Sequence, residues 1–96
     1  MGYEELLKEQ RVQILDIAAR HGARNVRVFG SVARGQADEA SDLDFLVEMD
    51  AGRTLFDLGG LQFELETALG RPVDVVTERG LKSRIRSRVL HGAIPV

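Results

Sequence analysis

The chain has no cysteine. That excludes disulfides, thiolate nucleophiles and thiolate metal ligands, and it matches a reducing compartment, so the cytoplasm is the expected location. No apolar run approaches the roughly 20 residues of a membrane span. The opening MGYEELLKEQ lacks both the basic segment and the apolar core of a signal peptide, and Leu6 stands where a myristoylation motif needs Ser or Thr. Neither membrane insertion nor export is expected. An excess of positive charge is missing too. Thirteen Lys and Arg against 15 Asp and Glu give a net charge of −2, without the positive field that drives non-specific nucleic-acid binding, so nucleic acid is not expected as a partner. Neither a Walker A loop nor a GxGxxG turn occurs, which disfavours those two nucleotide folds.

What remains is an ordinary globular composition, 44% apolar and 29% charged over 96 residues. This length suits one domain, residues 1–96, with one modest core. Leu7, Ile14, Leu15 and Ala18 recur at helical spacing within residues 3–21, and His21-Gly22 supplies a stop. Val26, Val28 and Phe29 form a strand-like run that breaks at Gly30, and Leu43, Phe45, Leu46 and Val47 form a second. The polar stretch SVARGQADEASD connects them, with room for one or two helical turns from Ser31. Asp50-Ala51-Gly52 marks a turn, Thr54 and Asp57 resemble a capping box, and Leu58, Leu61, Leu65 and Leu69 give the following helix a buried stripe. Gly59-Gly60 weakens that helix by roughly 1 kcal/mol per glycine. Either the stripe compensates or something packs closely there. Gly70 ends the helix, Val73 to Thr77 reads as a third strand, and Leu81, Ile85 and Val89 put an apolar stripe on a basic last helix. The tail HGAIPV has no clear type. The expected fold is α/β in the α+β sense, a small mixed β-sheet with helices packed on it.

Three aspartates fall inside the strand-like runs, where ionised groups are costly to bury without a partner. Asp42 and Asp44 lie two apart in SDLDFLV and so point to one side of a strand, and Asp74 sits in PVDVVT. This pattern suits a two-metal site for phosphoryl or nucleotidyl transfer, where carboxylates bridge two magnesium ions held about 3.5 to 4 Å apart. Asp42 and Asp44 could bridge; Asp74 could hold the second ion or accept the proton of an attacking hydroxyl. Gly30-Ser31 lets phosphate approach the backbone, with Ser31 adding a hydroxyl donor. Arg34, one turn on, could meet the same phosphates or simply be solvated.

Gly30-Ser31, ten residues, Asp42-Leu43-Asp44 and a later strand aspartate, Asp74, resemble the DNA polymerase beta-like nucleotidyltransferase superfamily. The string FGSVARGQADEASDLDFLV is similar to that of its minimal nucleotidyltransferases, the antitoxins that pair with HEPN toxins. The resemblance covers nearly the whole chain. It implies Asp42, Asp44 and Asp74 as metal ligands, two Mg²⁺ ions, Gly30 and Ser31 on the triphosphate of ATP, and transfer of AMP to a tyrosine of an HEPN-type partner toxin in a hetero-oligomer. The alternatives are an antitoxin that acts by contact alone and a subunit of a small-molecule, aminoglycoside-type nucleotidyltransferase. Only residues 78–96 follow the third strand, so the acceptor is expected on another molecule. The basic residues Arg79, Lys82, Arg84, Arg86 and Arg88 could contact a partner or phosphate, and read more simply as a solvated helix face. His21 and His91 read as helix-end residues, and Phe29, Phe45, Phe56 and Phe63 as core. Tyr3, the only tyrosine, reads as a frayed terminal residue.

Overall fold

A computed structural model describes residues 3–36 and 42–96. The Tyr3 side chain and residues 37–41 of the expected connection lie outside the described residues. The first helical stretch divides into α1 (Tyr3–Glu9) and α2 (Arg11–Arg20) around Gln10. Hydrogen bonds from Gln10 N–H to the Leu6 carbonyl and from Ile14 N–H to the Gln10 carbonyl carry the turn through the break. The remaining elements are β1 (Ala23–Phe29), β2 (Leu43–Met49), α3 (Leu55–Leu69), β3 (Val73–Thr77), α4 (Ser83–Gly92) and β4 (Ile94–Pro95). The tail that had no clear type is thus a short edge strand.

The sheet order is β3-β2-β1-β4, with β2 and β3 parallel and the other two pairings antiparallel. Period-2 alternation divides its side chains between two faces. On one face Val28, Phe45, Val47, Val73 and Val75 pack with Ile14, Ile17 and Ala18 of α2 and Leu61, Leu65 and Leu69 of α3. The other face carries Arg27, Phe29, Asp44, Leu46 and Asp74. The parity of β1 depends on a bulge between Arg24 and Arg27, where Asn25 adopts φ 51°, a conformation asparagine tolerates better than most residues. The bulge lets both Ala23 and Val26, three apart, face the core.

The Thr54 capping box is present: Thr54 Oγ1 accepts from the Phe56 N–H at 3.2 Å and the Asp57 carboxylate accepts from the Thr54 N–H at 2.8 Å. That bond holds the Asp57 carboxyl below the usual carboxylate range. Gly70 closes the helix at φ 65° in the left-handed region. Across the unpaired edge of β3, the Gln62 side chain accepts from the Val75 N–H at 3.1 Å. The glycine pair proves to have two explanations. A Cβ on Gly60 would lie 3.1 Å from the His21 ring, which also meets Glu64 at 2.9 Å, whereas a Cβ on Gly59 would meet nothing within 4 Å. Gly60 gives room to a histidine; at Gly59 the burial of Leu61, Leu65 and Leu69, each worth about 1.5–3 kcal/mol, outweighs the glycine's cost.

Two expectations need correction. Phe56 and Phe63 are 91% and 73% exposed rather than core, because they point away from the leucine stripe of α3; Phe45 alone of the four is fully buried. The apolar stripe of α4 finds no core either: no residue of α4 is buried, and Ile85 is 39% exposed. Five cations and no acidic residue after Glu78 keep this segment solvated. Among the described residues no helix is long and apolar enough to cross a membrane. The glycine pair gives a direct check by thermal melting of dilute protein. Gly59→Ala should raise stability by about 0.5–1 kcal/mol, and Gly60→Ala should gain less or lose, since its methyl presses on His21.

Candidate active site

Strand register decides which charged groups meet. Antiparallel pairing puts Phe29 opposite Asp44, and parallel pairing puts Asp74 beside Asp44, so Phe29, Asp44 and Asp74 form one transverse row of the sheet. The row lies where β1 ends and β2 and β3 begin. Asp42 comes just before β2 and is exposed; the next residue enters the ladder at once, the Leu43 N–H donating to the Pro72 carbonyl at 3.0 Å. Gly30 follows Phe29 at φ 74°, and a Cβ built on it would stand 2.5 Å from Asp44 Oδ2. Glycine suits the position: the left-handed dihedral strains any side chain, and a Cβ would force the Asp44 carboxylate to shift.

The chain then turns tightly over Ser31–Gly35. The Arg34 N–H donates to the Gly30 carbonyl at 3.2 Å and the Gln36 N–H to the Ser31 carbonyl at 2.9 Å, so Ser31 sits at the head of the turn directly after Gly30. No regular helix forms over these residues. Arg34 is exposed and bonds Gln36 Oε1 at 3.2 Å through Nε.

Electrostatics show which groups share one field. Burial raises the Asp44 carboxyl above its ordinary range, Asp74 and Asp42 push it further in the same direction, and the Arg34 charge pulls it back. Three carboxylates and one guanidinium therefore act on one another. They do not form a finished cage: among the described residues no three His, Cys, Asp or Glu side chains stand close enough to hold a metal as they are. Like charges without a counter-ion repel one another. The donor set, all hard oxygens beside a glycine that keeps the carboxylate approachable, nonetheless suits magnesium over softer metals.

Arg27, close to the row, escaped the sequence reading. Leu46, fully buried, lies on the open face between Arg27 and Val76. Arg27 Nη2 reaches 2.8 Å from Glu78 Oε1, and that nitrogen is buried without a well-directed hydrogen bond, so the attraction is ionic. Its signal was the polar member of Val26-Arg27-Val28, a cation alternating with core residues. A groove of about 580 Å³ lies at the opposite ends of β2 and β3, lined by Glu48, Asp50, Arg53, Glu78 and Arg86 among others. It contains none of the three aspartates, and the carboxylate row identifies the chemical site better than this concavity does.

The family model described as "Nucleotidyltransferase domain" matches residues 11–95. The protein adenylyltransferase MntA of Thermococcus cleftensis is 40% identical over 81 residues, 84% of this chain and 82% of that protein. A solved structure described provisionally as a minimal nucleotidyltransferase superposes with a TM-score of 0.88 at 54% identity, covering 100% of this chain and 97% of the other. A chain of a crystal structure described as a toxin-antitoxin with AMP-PNP has a TM-score of 0.74 at 21% identity, covering 86% of this chain and 68% of that one, a likeness of fold.

Two measurements test the geometry. Gly30→Ala should cost about 1–3 kcal/mol in denaturant unfolding, and adding Asp44→Ala should recover part of that loss, because the new methyl meets the Asp44 carboxylate. The raised Asp44 pKa fixes a sign for pH dependence. The folded state holds this proton more tightly than the unfolded chain, so stability from this group is present below its ordinary value of 3.8 and lost as pH rises through the higher folded value. Asp44→Asn should therefore raise the melting temperature at neutral pH in metal-free buffer, with the gap to wild type closing on acidification; a lower neutral melting temperature would count against the repulsion.

Proposed function

The chain belongs to the nucleotidyltransferase-domain family, and from that premise we propose that it is a magnesium-dependent protein adenylyltransferase, an antitoxin that moves AMP from ATP to a hydroxyl of a partner HEPN-type toxin. The observation that carries this reading is the row in which Asp44 stands beside Asp74 with Gly30 against its carboxylate. The name of the Thermococcus cleftensis relative supports protein as acceptor, and the toxin-antitoxin structure with AMP-PNP supports the toxin and the adenine nucleotide. Tyrosine as the acceptor residue is part of the same proposal.

Asp42, Asp44 and Asp74 would hold two magnesium ions, which when bound supply positive charge to the phosphate oxygens as negative charge builds there. The chain's own groups do the rest. Gly30 exposes backbone to the triphosphate, the Ser31 hydroxyl donates to it, and Arg34 adds a guanidinium on the same side. The Asp74 carboxylate accepts the proton of the acceptor hydroxyl, whose oxygen attacks the α-phosphorus of ATP; the bond to the β-phosphate oxygen breaks and pyrophosphate leaves. Before reaction, Asp74 is exposed at the end of the row, open to an oxygen brought by another molecule.

The test is incubation with ATP, Mg²⁺ and an HEPN-type partner, followed by intact-mass measurement. The partner should gain the mass of AMP, and the Asp42→Ala/Asp44→Ala double variant should lose at least about 10²-fold in rate while still forming the complex. A tight complex without any transferred AMP would replace this reading with inhibition by contact.

A further inference from the structure

Helix α3 has two apolar faces, and the core uses one. Opposite the leucine stripe, Phe56 and Phe63 stand two turns apart and almost bare, with Leu55 83% exposed at their flank and Gly59 between them. The added Cβ that would meet nothing at Gly59 marks open backbone at the centre of this face. The sequence around it is nearly a palindrome. Phe56-Asp57-Leu58-Gly59-Gly60-Leu61-Gln62-Phe63 matches phenylalanine with phenylalanine, leucine with leucine and glycine with glycine about its midpoint.

A two-fold axis across a helix pairs residue i of one copy with residue j of the other and j with i, so a contact centred between Gly59 and Gly60 sets phenylalanine against phenylalanine. In an antiparallel pair of α3 helices, Phe56 of one copy lies against Phe63 of the other at both ends, and Gly59, with open space beside it, lets the two backbones approach closely at the crossing. The Arg53 end of one helix then lies along the Glu66 end of its mate, while Arg53 keeps Asp57 and Glu64 keeps Arg20 and His21 as partners within one copy. We propose that this face of α3 is a self-association surface and that two copies of the chain pair through it as an isologous dimer.

Area and placement favour a second copy as the occupant. At 150–250 Å² for each buried aromatic, the two phenylalanines and Leu55 supply roughly 500 Å² per copy, on the order of 1,000 Å² in all, which is the apolar centre of a standard interface of about 1,600 Å². Polar residues along the helix flanks complete the rim. The alternative symmetric contact, α4 on α4, would set cations against cations with no acidic residue in the segment. An acceptor protein is a poorer fit to this stripe: α3 covers one face of the sheet and Asp44 and Asp74 lie on the other, so a protein seated here presents nothing to the carboxylates. The inference does not rest on the proposed activity.

Sedimentation equilibrium across the micromolar range tests it. The wild-type chain should show a concentration-dependent dimer, and Phe56→Glu, Phe63→Glu and Gly59→Leu should each weaken association at least about tenfold by burying a charge or filling the crossing point. These side chains touch little within one copy, and an unchanged circular dichroism melt verifies that the fold survives. Because the chain has no cysteine, Gly59→Cys provides a second readout: mild oxidation should give a disulfide-linked dimer, and Gln13→Cys on α2, also exposed, should not. A monomer at every concentration, a dimer indifferent to these substitutions, or a monomer whose Phe56→Glu variant loses only its complex with another protein would each overturn the proposal.

Discussion

One transverse row of the sheet governs the rest of this structure. Phe29 ends β1, Asp44 is the second residue of β2, Asp74 is the second residue of β3, and all three are set side by side by strand pairing. Because side chains alternate strictly, slipping β2 by one residue would turn Asp44 into the leucine and valine core and expose Phe45 in its place. The burial of Leu43, Phe45 and Val47, all fully enclosed, therefore fixes where the carboxylates point. The bulge at Asn25 belongs to the same constraint. By adding one residue to β1 it keeps both Ala23 and Val26 on the core face, so that the strand reaches Phe29 and Gly30 in step with Asp44. The site is thus made where an antiparallel neighbour ends and two parallel strands begin, at the opposite end of β2 and β3 from their groove.

That row carries an electrostatic cost that the fold does not relieve on its own. Asp44 is partly withdrawn from water, two other carboxylates act on it, and the Arg34 charge only partly offsets them. Other parts of the molecule pair their charges carefully: Arg24 with Glu48 and Asp50, Arg53 with Asp57, Arg20 and His21 with Glu64. On the face that carries the row, the buried Leu46 and the Arg27–Glu78 pair close the sheet just beyond it. They give the open face a firm floor without supplying a counter-charge to it.

Much of this was legible in sequence because the strongest signals are local. The capping box at Thr54, the stop at Gly70 and the alternation of β2 each follow from residue types a few positions apart. The three aspartates stood out because charge is rare in β-branched runs. What escaped depends on partners far along the chain. Ile94 and Pro95 are too few to show a period and become a strand because β1 offers a free edge, with the Val96 N–H bonding the Val26 carbonyl at 3.0 Å. Phe56 and Phe63 share helical spacing with the leucines, and periodicity alone did not say that the helix carries two stripes 180° apart. Likewise the α4 stripe is real in pattern, yet none of the helix's residues is buried.

The two faces of the sheet consequently do different work. The covered face holds the leucines and valines that fix the register, and through α3 it leads outward to the bare phenylalanines. The other face holds the charged row, with the fully buried Leu46 beside it. In the proposed reaction a partner that brings a hydroxyl to Asp74 would approach from the sheet face that carries Asp44 and Asp74, whereas a second copy on the α3 stripe would approach from behind. The two contacts do not compete for surface. A dimer formed through α3 would therefore present two carboxylate rows facing away from each other, each open to its own acceptor, and pairing of the chain with itself would leave the chemistry of either row untouched.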